Sequence, residues 1–121
     1  MTLILKYMPN YEAPLDRAFQ ALADPTRRAM VERLTRGPAT VGELKAPLPM
    51  SLPAVMQHLA VLETSGLVVS QKSGRVRTCH INPATLAAAE RWIAERRLDW
   101  ERRLDRLGDY LETLKSEGKK R

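Results

Sequence analysis

The sequence predicts a mostly α-helical fold with one small β-hairpin. Two observations lead to this prediction. Apolar residues recur at helical spacing in several segments, whereas one short segment after residue 75 alternates between its two faces. Proline and glycine stand between these segments, where they end or begin helices. Together these patterns predict about five helices and a two-stranded antiparallel hairpin within one domain, residues 1–121.

The composition limits the class of protein. The 121 residues are 44% hydrophobic and carry a net charge of +6, so a modest core and a polyanionic partner are expected. An anionic membrane surface is the competing partner. One cysteine allows no intramolecular disulfide, which fits a reducing cytosol. No apolar run approaches the roughly 20 residues of a bilayer span. We therefore expect a cytoplasmic protein that does not enter the membrane.

Two helices are predicted in the first third of the chain. Leu15 to Ala23 forms the first, and Asp24-Pro25 caps a second that runs to about Arg36. Arg27 and Arg28 lie in its first turn, where the helix dipole disfavours cations, so either a phosphate compensates them or water does. The preceding arm, residues 1–14, is too apolar for a solvated tail, although a mobile end remains an equal alternative.

The central stretch predicts a helix-turn-helix. Thr40 and Glu43 form a capping box at the start of a short helix, and Ser51 caps the next helix with Pro53 in its first turn. Gly66 ends this second helix. Its inward stripe is predicted to be Val55, Leu59 and Leu62, and its outer face to be Ala54, Gln57, His58 and Val61.

A hairpin with a basic tip follows this helix. Leu67 to Gln71 reads as a strand, Lys72 to Arg75 as a tight turn, and Val76 to Asn82 as the return strand. Cys79 is expected to be a small core residue beside Ile81. Two helices followed by a hairpin form a winged helix-turn-helix, a shape that places one helix in the DNA major groove.

This arrangement assigns roles in DNA binding. Gln57 is the best candidate for reading a base, because an amide can pair in two directions with adenine. The hairpin cations suit a phosphate or the minor groove, and Thr40 is expected to contact the DNA backbone. The predicted contact residues are Thr40, Ser51, Pro53, Ala54, Gln57, His58, Lys72, Arg75 and Arg77.

The same residues carry a family resemblance. The segments that match in order and spacing are residues 22–27, 41–44, 51–59, 62–68 and 74–75, all of them between residues 22 and 75. On these motifs the chain resembles the ArsR-type winged-helix repressors of bacteria. Met56 stands where that family often has serine, so a hydroxyl contact there is not expected. The resemblance implies a repressor that works as a homodimer through its first and last helices.

The last helix is predicted from Pro83 to about Leu114. From Trp100 its apolar residues follow steps of four and three, which is the heptad pattern of helices packed lengthwise. Either this seam joins two subunits or it packs within its own chain. With the N-terminal arm, the predicted dimer interface includes Leu15, Phe19, Leu86, Ile93, Trp100, Leu104, Leu107 and Leu111.

Other functions have less support in the residues. One metal site of the family needs a Cys-x-Cys pair after Glu43-Leu44, but Lys45-Ala46-Pro47 follows here, and another needs histidines that the last helix lacks. No phosphate loop or catalytic set stands out, so no cofactor, metal or enzymatic activity is expected.

The sequence therefore predicts a dimeric, sequence-specific transcriptional regulator that binds double-stranded DNA at a two-fold operator. Two alternatives stay open: a metal-responsive repressor with an unrecognised site, and a basic protein-interaction module. A small-molecule effector is compatible with this prediction, and the sequence does not identify one.

Overall fold

A computed structural model describes residues 13–119, so most of the predicted N-terminal arm lies outside the described part. Five helices and three strands follow one another along this range. In chain order they are α1 (Ala13–Leu22), α2 (Pro25–Thr35), β1 (Ala39–Thr40), α3 (Val41–Lys45), α4 (Leu52–Thr64), β2 (Val68–Ser73), β3 (Val76–Ile81) and α5 (Pro83–Lys119). The predicted fold class, mostly helical with a small antiparallel hairpin, is confirmed.

The core lies in the unit that ends at Ala89. Its largest fully buried side chains come from α2, α3, α4, the hairpin and the segment between α4 and the hairpin, and they are Met30, Leu44, Val55, Leu59, Leu62, Leu67, Val68 and Cys79. Burying such aliphatic side chains is the main favourable term in folding. The predicted inward stripe of α4 and the core position of Cys79 are therefore confirmed.

The two arginines at the start of α2 were expected to be compensated by a phosphate or by water. In the structure their side chains contact backbone carbonyl oxygens of the preceding helix. The side chain of Arg27 donates from Nε to the carbonyl oxygen of Ala21 at 2.7 Å and from Nη2 to that of Gln20 at 3.1 Å. Arg28 donates to the carbonyl oxygen of Leu22 at 2.8 Å. They cap the negative C-terminal end of α1, which compensates their unfavourable position on α2.

The caps of the helix-turn-helix are confirmed. The hydroxyl oxygen of Thr40 accepts from the amide of Glu43 at 3.1 Å, and the Glu43 carboxylate accepts from the amide of Thr40 at 3.3 Å. Ser51 caps α4 by accepting from the amide of Ala54 at 3.4 Å. These side-chain bonds satisfy amides that have no partner within the helix, so both helices begin where the sequence predicts.

The hairpin belongs to a three-stranded antiparallel sheet in the order β1-β3-β2. Ser73 pairs with Val76, so the connecting turn is Gly74-Arg75. The predicted turn from Lys72 to Arg75 was two residues too long at its start, because Lys72 and Ser73 belong to β2. The left-handed φ of +62° at Gly74 suits such a turn. The additional strand β1 pairs Ala39 with Cys79 and anchors α3 to the sheet.

The last helix is longer than predicted. It continues to Lys119, beyond the predicted end at about Leu114. From Glu90 onward the helix forms a unit of its own, with Arg96 lying 5.1 Å above the ring of Trp92 and Arg97 paired with Glu101 at 3.8 Å. Such contacts between residues four positions apart support an exposed helix. No helix within residues 13–119 has both the length and the apolar character of a membrane span.

Helix caps should make folding stability sensitive to acid. The amide of Arg27 lowers the pKa of the Asp24 carboxyl, and the amide and hydroxyl of Thr40 lower that of Glu43. A lowered pKa in the folded state means stability that is present above the unfolded values of 3.8 and 4.5 and is lost as the pH falls through the folded values.

We therefore expect the melting temperature of the wild type to fall between pH 6 and pH 3. The variant Asp24→Asn/Glu43→Gln keeps both caps but has no carboxyl to titrate at these positions, so its melting temperature should fall less. Thermal unfolding followed by circular dichroism at several pH values measures this difference. Identical pH dependence in the two proteins would contradict it.

Candidate nucleic-acid interface

One face of α4 projects away from the core. Val55, Leu59 and Leu62 are fully buried, whereas Pro53 and Gln57 are exposed and Ala54 is half-buried. Within residues 13–119 the Gln57 side chain makes no hydrogen bond, so both its amide donor and its carbonyl acceptor remain available. The amphipathic helix thus presents a small, polar surface at its N-terminal half.

His58 is turned toward α2, which differs from its expected place on this face. Its Nδ1 atom lies 3.4 Å from Arg27 Nη1 and 3.8 Å from the carboxylate of Asp24. The half-buried ring therefore joins α4 to α2, and the DNA contact predicted for His58 stays a prediction.

The hairpin tip carries two uncompensated cations. Lys72 and Arg75 are exposed, and neither side chain forms a hydrogen bond or ion pair with another described residue. Gly74 lies between them at the turn, which leaves little side-chain bulk at the tip. This part of the hairpin can approach a polyanion closely.

Arg77, expected to be a third free cation, is engaged instead. Its Nη2 atom donates to both carboxylate oxygens of Glu63 at 2.7 Å, and its Nε atom donates to the hydroxyl oxygen of Ser70 at 2.8 Å. The carboxylate compensates the charge of the guanidinium and directs it toward α4. Arg77 is therefore engaged inside the domain, and the phosphate contact predicted for it stays a prediction.

Thr40 is also committed within the domain. Its hydroxyl donates to the Glu43 carboxylate at 3.1 Å while accepting from the Glu43 amide. A hydroxyl has one proton to donate, so this proton is not free for a phosphate. The hydroxyl oxygen of Ser51 accepts only from Ala54 among the described residues, and its proton remains available.

Residues with no predicted role also lie beside this surface. An open cleft of about 550 Å³ separates the start of α3 and α4 from the hairpin, and its lining includes Lys45, Leu52, Met56, Arg75 and Val76. Lys45 adds a cation at the end of α3, and Leu52 and Val76 are exposed apolar groups. The signal for Lys45 was its place at the end of the first helix of the helix-turn-helix.

The described residues contain no group of three or more histidine, cysteine, aspartate or glutamate side chains arranged to hold a metal. Cys79 is buried, and this burial, together with the nearby Glu63 carboxylate, raises the pKa of its thiol despite the opposing effect of Arg77. A higher pKa leaves less thiolate at neutral pH, so the thiol has the properties of an inert core residue.

Most of the residues predicted for a dimer interface are exposed on α5. About half of the surface is exposed at five of them, Ile93, Trp100, Leu104, Leu107 and Leu111, and Leu114 extends the same row. Leu86 packs against the core, and Leu15 and Phe19 on α1 are half-buried. The exposed members therefore form one apolar stripe along the unit that begins at Glu90.

Comparison with known proteins agrees with this arrangement. A helix-turn-helix domain model matches residues 22–71. The HTH-type transcriptional regulator Rv2034 of Mycobacterium tuberculosis is 48% identical over 112 residues, which cover 92% of this chain and 97% of that protein. The transcriptional repressor SdpR of Bacillus subtilis is 25% identical over 79 residues, covering 65% of this chain and 88% of the repressor.

A solved structure leads to the same family. The crystal structure of an ArsR family transcriptional regulator is 52% identical, with a TM-score of 0.71, and covers 76% of this chain and 95% of that one. The order of helices, the three-stranded sheet and the basic hairpin tip are features of this chain that fit a winged helix-turn-helix. The chain belongs to the ArsR family of winged helix-turn-helix transcriptional regulators.

Proposed function

We propose that this protein represses transcription by binding a two-fold operator as a homodimer, with α4 in the major groove. The observation that carries the proposal is the exposed face of α4, where Gln57 has both of its amide groups free beside the small residues Pro53 and Ala54. A helix with such a face can enter the groove closely and read base edges. SdpR, which is named as a repressor, supports the same direction of control.

Phosphate contacts would come from both sides of α4. Lys72 and Arg75 at the hairpin tip are uncompensated, and Lys45 lies at the end of α3 beside the same cleft as Arg75. The N-terminus of α4 adds the positive end of a helix dipole, where the Ser51 hydroxyl can still donate. These groups would fix the register of α4 on the duplex and supply most of the salt-dependent affinity.

Dimerisation would use the apolar stripe of α5. Its heptad spacing matches the pattern by which two helices pack lengthwise, and its side chains are half-exposed in the single chain. Single soluble chains rarely leave so continuous an apolar stripe uncovered. A second copy of the chain is the simplest cover, and it would present two α4 helices to two half-sites about one helical turn apart.

We further propose that the protein acts by binding and not by catalysis, and that its DNA binding does not require a metal. The regulator family supports the first proposal. The second is supported by the buried, protonated thiol of Cys79 and by the engagement of His58 with Arg27. Neither group is presented as a free ligand.

Titration of purified protein against DNA from upstream of its own gene tests this function. Operator and scrambled DNA are compared across a salt series, with parallel samples that contain a chelator or added zinc. We expect tighter binding to the operator, a steep decrease of affinity with salt, and no effect of zinc. Equal weak binding to both DNAs would favour the interaction module, and release by zinc would establish a metal-responsive repressor.

Gln57→Ala should reduce specificity more than general affinity. Loss of a two-directional base contact should remove about 1–3 kcal/mol of discrimination while leaving phosphate contacts in place. Arg75→Ala should instead weaken binding to all sequences and lower the salt slope by about one. Gln20→Ala, the same change at an exposed position of α1, is the matched control. Equal losses for Gln57→Ala on operator and scrambled DNA would count against the assignment.

A further inference from the structure

Three side chains join the end of α4 to both strands of the hairpin. Glu63 lies on α4, Ser70 on β2 and Arg77 on β3. The two oxygens of the Glu63 carboxylate each accept from Arg77 Nη2 at 2.7 Å, and Oε1 also accepts from the Ser70 hydroxyl at 2.5 Å. Arg77 Nε donates to the Ser70 oxygen at 2.8 Å, which closes the set into a ring.

This ring is more constraining than an ordinary surface ion pair. The side chains of Glu63 and Arg77 are 25% and 37% exposed, so water screens them only in part. The planar guanidinium uses two of its nitrogens, one on the carboxylate and one on the hydroxyl, which fixes direction as well as distance. The relative orientation of the three elements is therefore held at this point.

This ring of hydrogen bonds lies close to the tip of the hairpin. Arg77 pairs with Lys72 across the strands, and the turn at Gly74-Arg75 begins two residues further along. Strand β1 pairs only with Thr78 and Cys79, so the hairpin is two-stranded toward its tip. A two-stranded ribbon has little stability by itself, so an attachment next to its end determines where the tip lies. On α4, Glu63 follows Gln57 by six residues, or about 9 Å along the helix axis.

We propose that Glu63 is a positioning residue for DNA binding, which tethers the hairpin to α4 through Arg77 and Ser70. The tether sets the spacing between the base contact of Gln57 and the phosphate contact of Arg75, so that one DNA duplex meets both. Glu63 itself does not touch DNA. This inference rests on the proposed function, because it assigns a role within the same DNA-binding surface.

The negative charge of Glu63 makes the experiment decisive, because loss of the charge and loss of the tether should change DNA affinity in opposite directions. Removing a carboxylate from a basic surface strengthens DNA binding if charge alone matters. Loss of the tether has the opposite effect, because the tip no longer holds Arg75 in place. Glu63→Gln should therefore bind operator and random DNA more weakly than the wild type, with a salt slope lower by about one. Glu32→Gln, the same change at an exposed position of α2, should bind as well as the wild type or better.

A double variant separates positioning from a general loss of structure. If Glu63 acts through the hairpin tip, Arg75→Ala should lower the salt slope by about one in the wild type and hardly at all in Glu63→Gln. Additive losses in Glu63→Gln/Arg75→Ala would overturn the proposal. A variant with a merely weakened fold would keep the full effect of Arg75→Ala in its folded fraction.

Arg77→Lys is the second variant, and it leaves the net charge unchanged. Lysine cannot reproduce the contacts to the carboxylate and the hydroxyl together, so we expect it to lower the salt slope as Glu63→Gln does. If the Arg77→Lys variant binds DNA as tightly as the wild type, a direct phosphate contact explains the cation at this position and the tether is overturned. Circular dichroism at the assay temperature confirms that each variant is folded before titration.

The outcomes keep the two proposals distinguishable. A wild type that does not prefer its operator would refute the proposed function and leave the tether without a role. A wild type that prefers its operator, together with a Glu63→Gln variant that binds as tightly as Glu32→Gln, would refute only the tether.

Discussion

Leu107→Glu is expected to separate the proposed dimer into monomers and to weaken operator binding by roughly 10²- to 10⁴-fold. The factor follows from bivalency, because joining two binding modules raises their combined affinity by about this amount. Leu107 is 52% exposed in the single chain and lies in the middle of the heptad stripe. A carboxylate there would be desolvated on dimerisation but remain hydrated in the monomer.

Analytical ultracentrifugation and operator titration measure the two effects of this variant. Leu98→Glu is the matched control, since Leu98 is 46% exposed on the same helix but lies outside the heptad stripe. It should remain dimeric and bind normally. A wild type that sediments as a monomer, or equal effects of the two substitutions, would show that the stripe is not the subunit interface.

Leu59→Ala is expected to have the largest effect on stability, a loss of about 2–5 kcal/mol in the free energy of unfolding. Leu59 has no exposed surface, and truncation removes buried methyl groups and leaves a cavity that the surrounding core fills only in part. The loss should appear as a lower urea midpoint with little change in the slope of unfolding.

Leu52→Ala provides the comparison for this substitution. Leu52 lies on the same helix, but 48% of its surface is exposed, so its truncation should change the free energy of unfolding by less than about 0.5 kcal/mol. Both variants are unfolded at one protein concentration, because dimerisation couples apparent stability to concentration. Similar losses in the two variants would mean that burial of α4 does not stabilise the fold as described.

The boundaries of the helix-turn-helix could be predicted because their causes are local. A capping box needs Thr40 and Glu43 three residues apart, and an N-cap needs Ser51 beside its own helix. The inward stripe of α4 follows from helical periodicity in the same way. Such interactions span one or two turns, so the sequence contains both partners within a short window.

The functions of the long charged side chains could not be predicted in the same way. Arg27 reaches carbonyl oxygens at the end of α1, and Arg77 reaches a carboxylate 14 residues earlier in the chain. His58 meets Arg27, which lies 31 residues away. No local pattern identifies these partners, because each contact joins two elements that are apart in the sequence.

The strand β1 gives a further example of the same limit. Two residues, Ala39 and Thr40, are too few for an alternating pattern, and they become a strand because β3 offers a free edge beside them.

The sequence by itself therefore determined the element types, the caps, the core stripe of α4, the basic hairpin tip and the family resemblance. Tertiary structure decided which hairpin cations have a partner inside the protein: Arg77 is held by Glu63, whereas Lys72 and Arg75 have no such partner among the described residues. The physical reason is that helix caps and periodic burial depend on neighbours in the chain. The availability of a long charged side chain depends on whichever opposite charge or carbonyl oxygen the fold places within its reach.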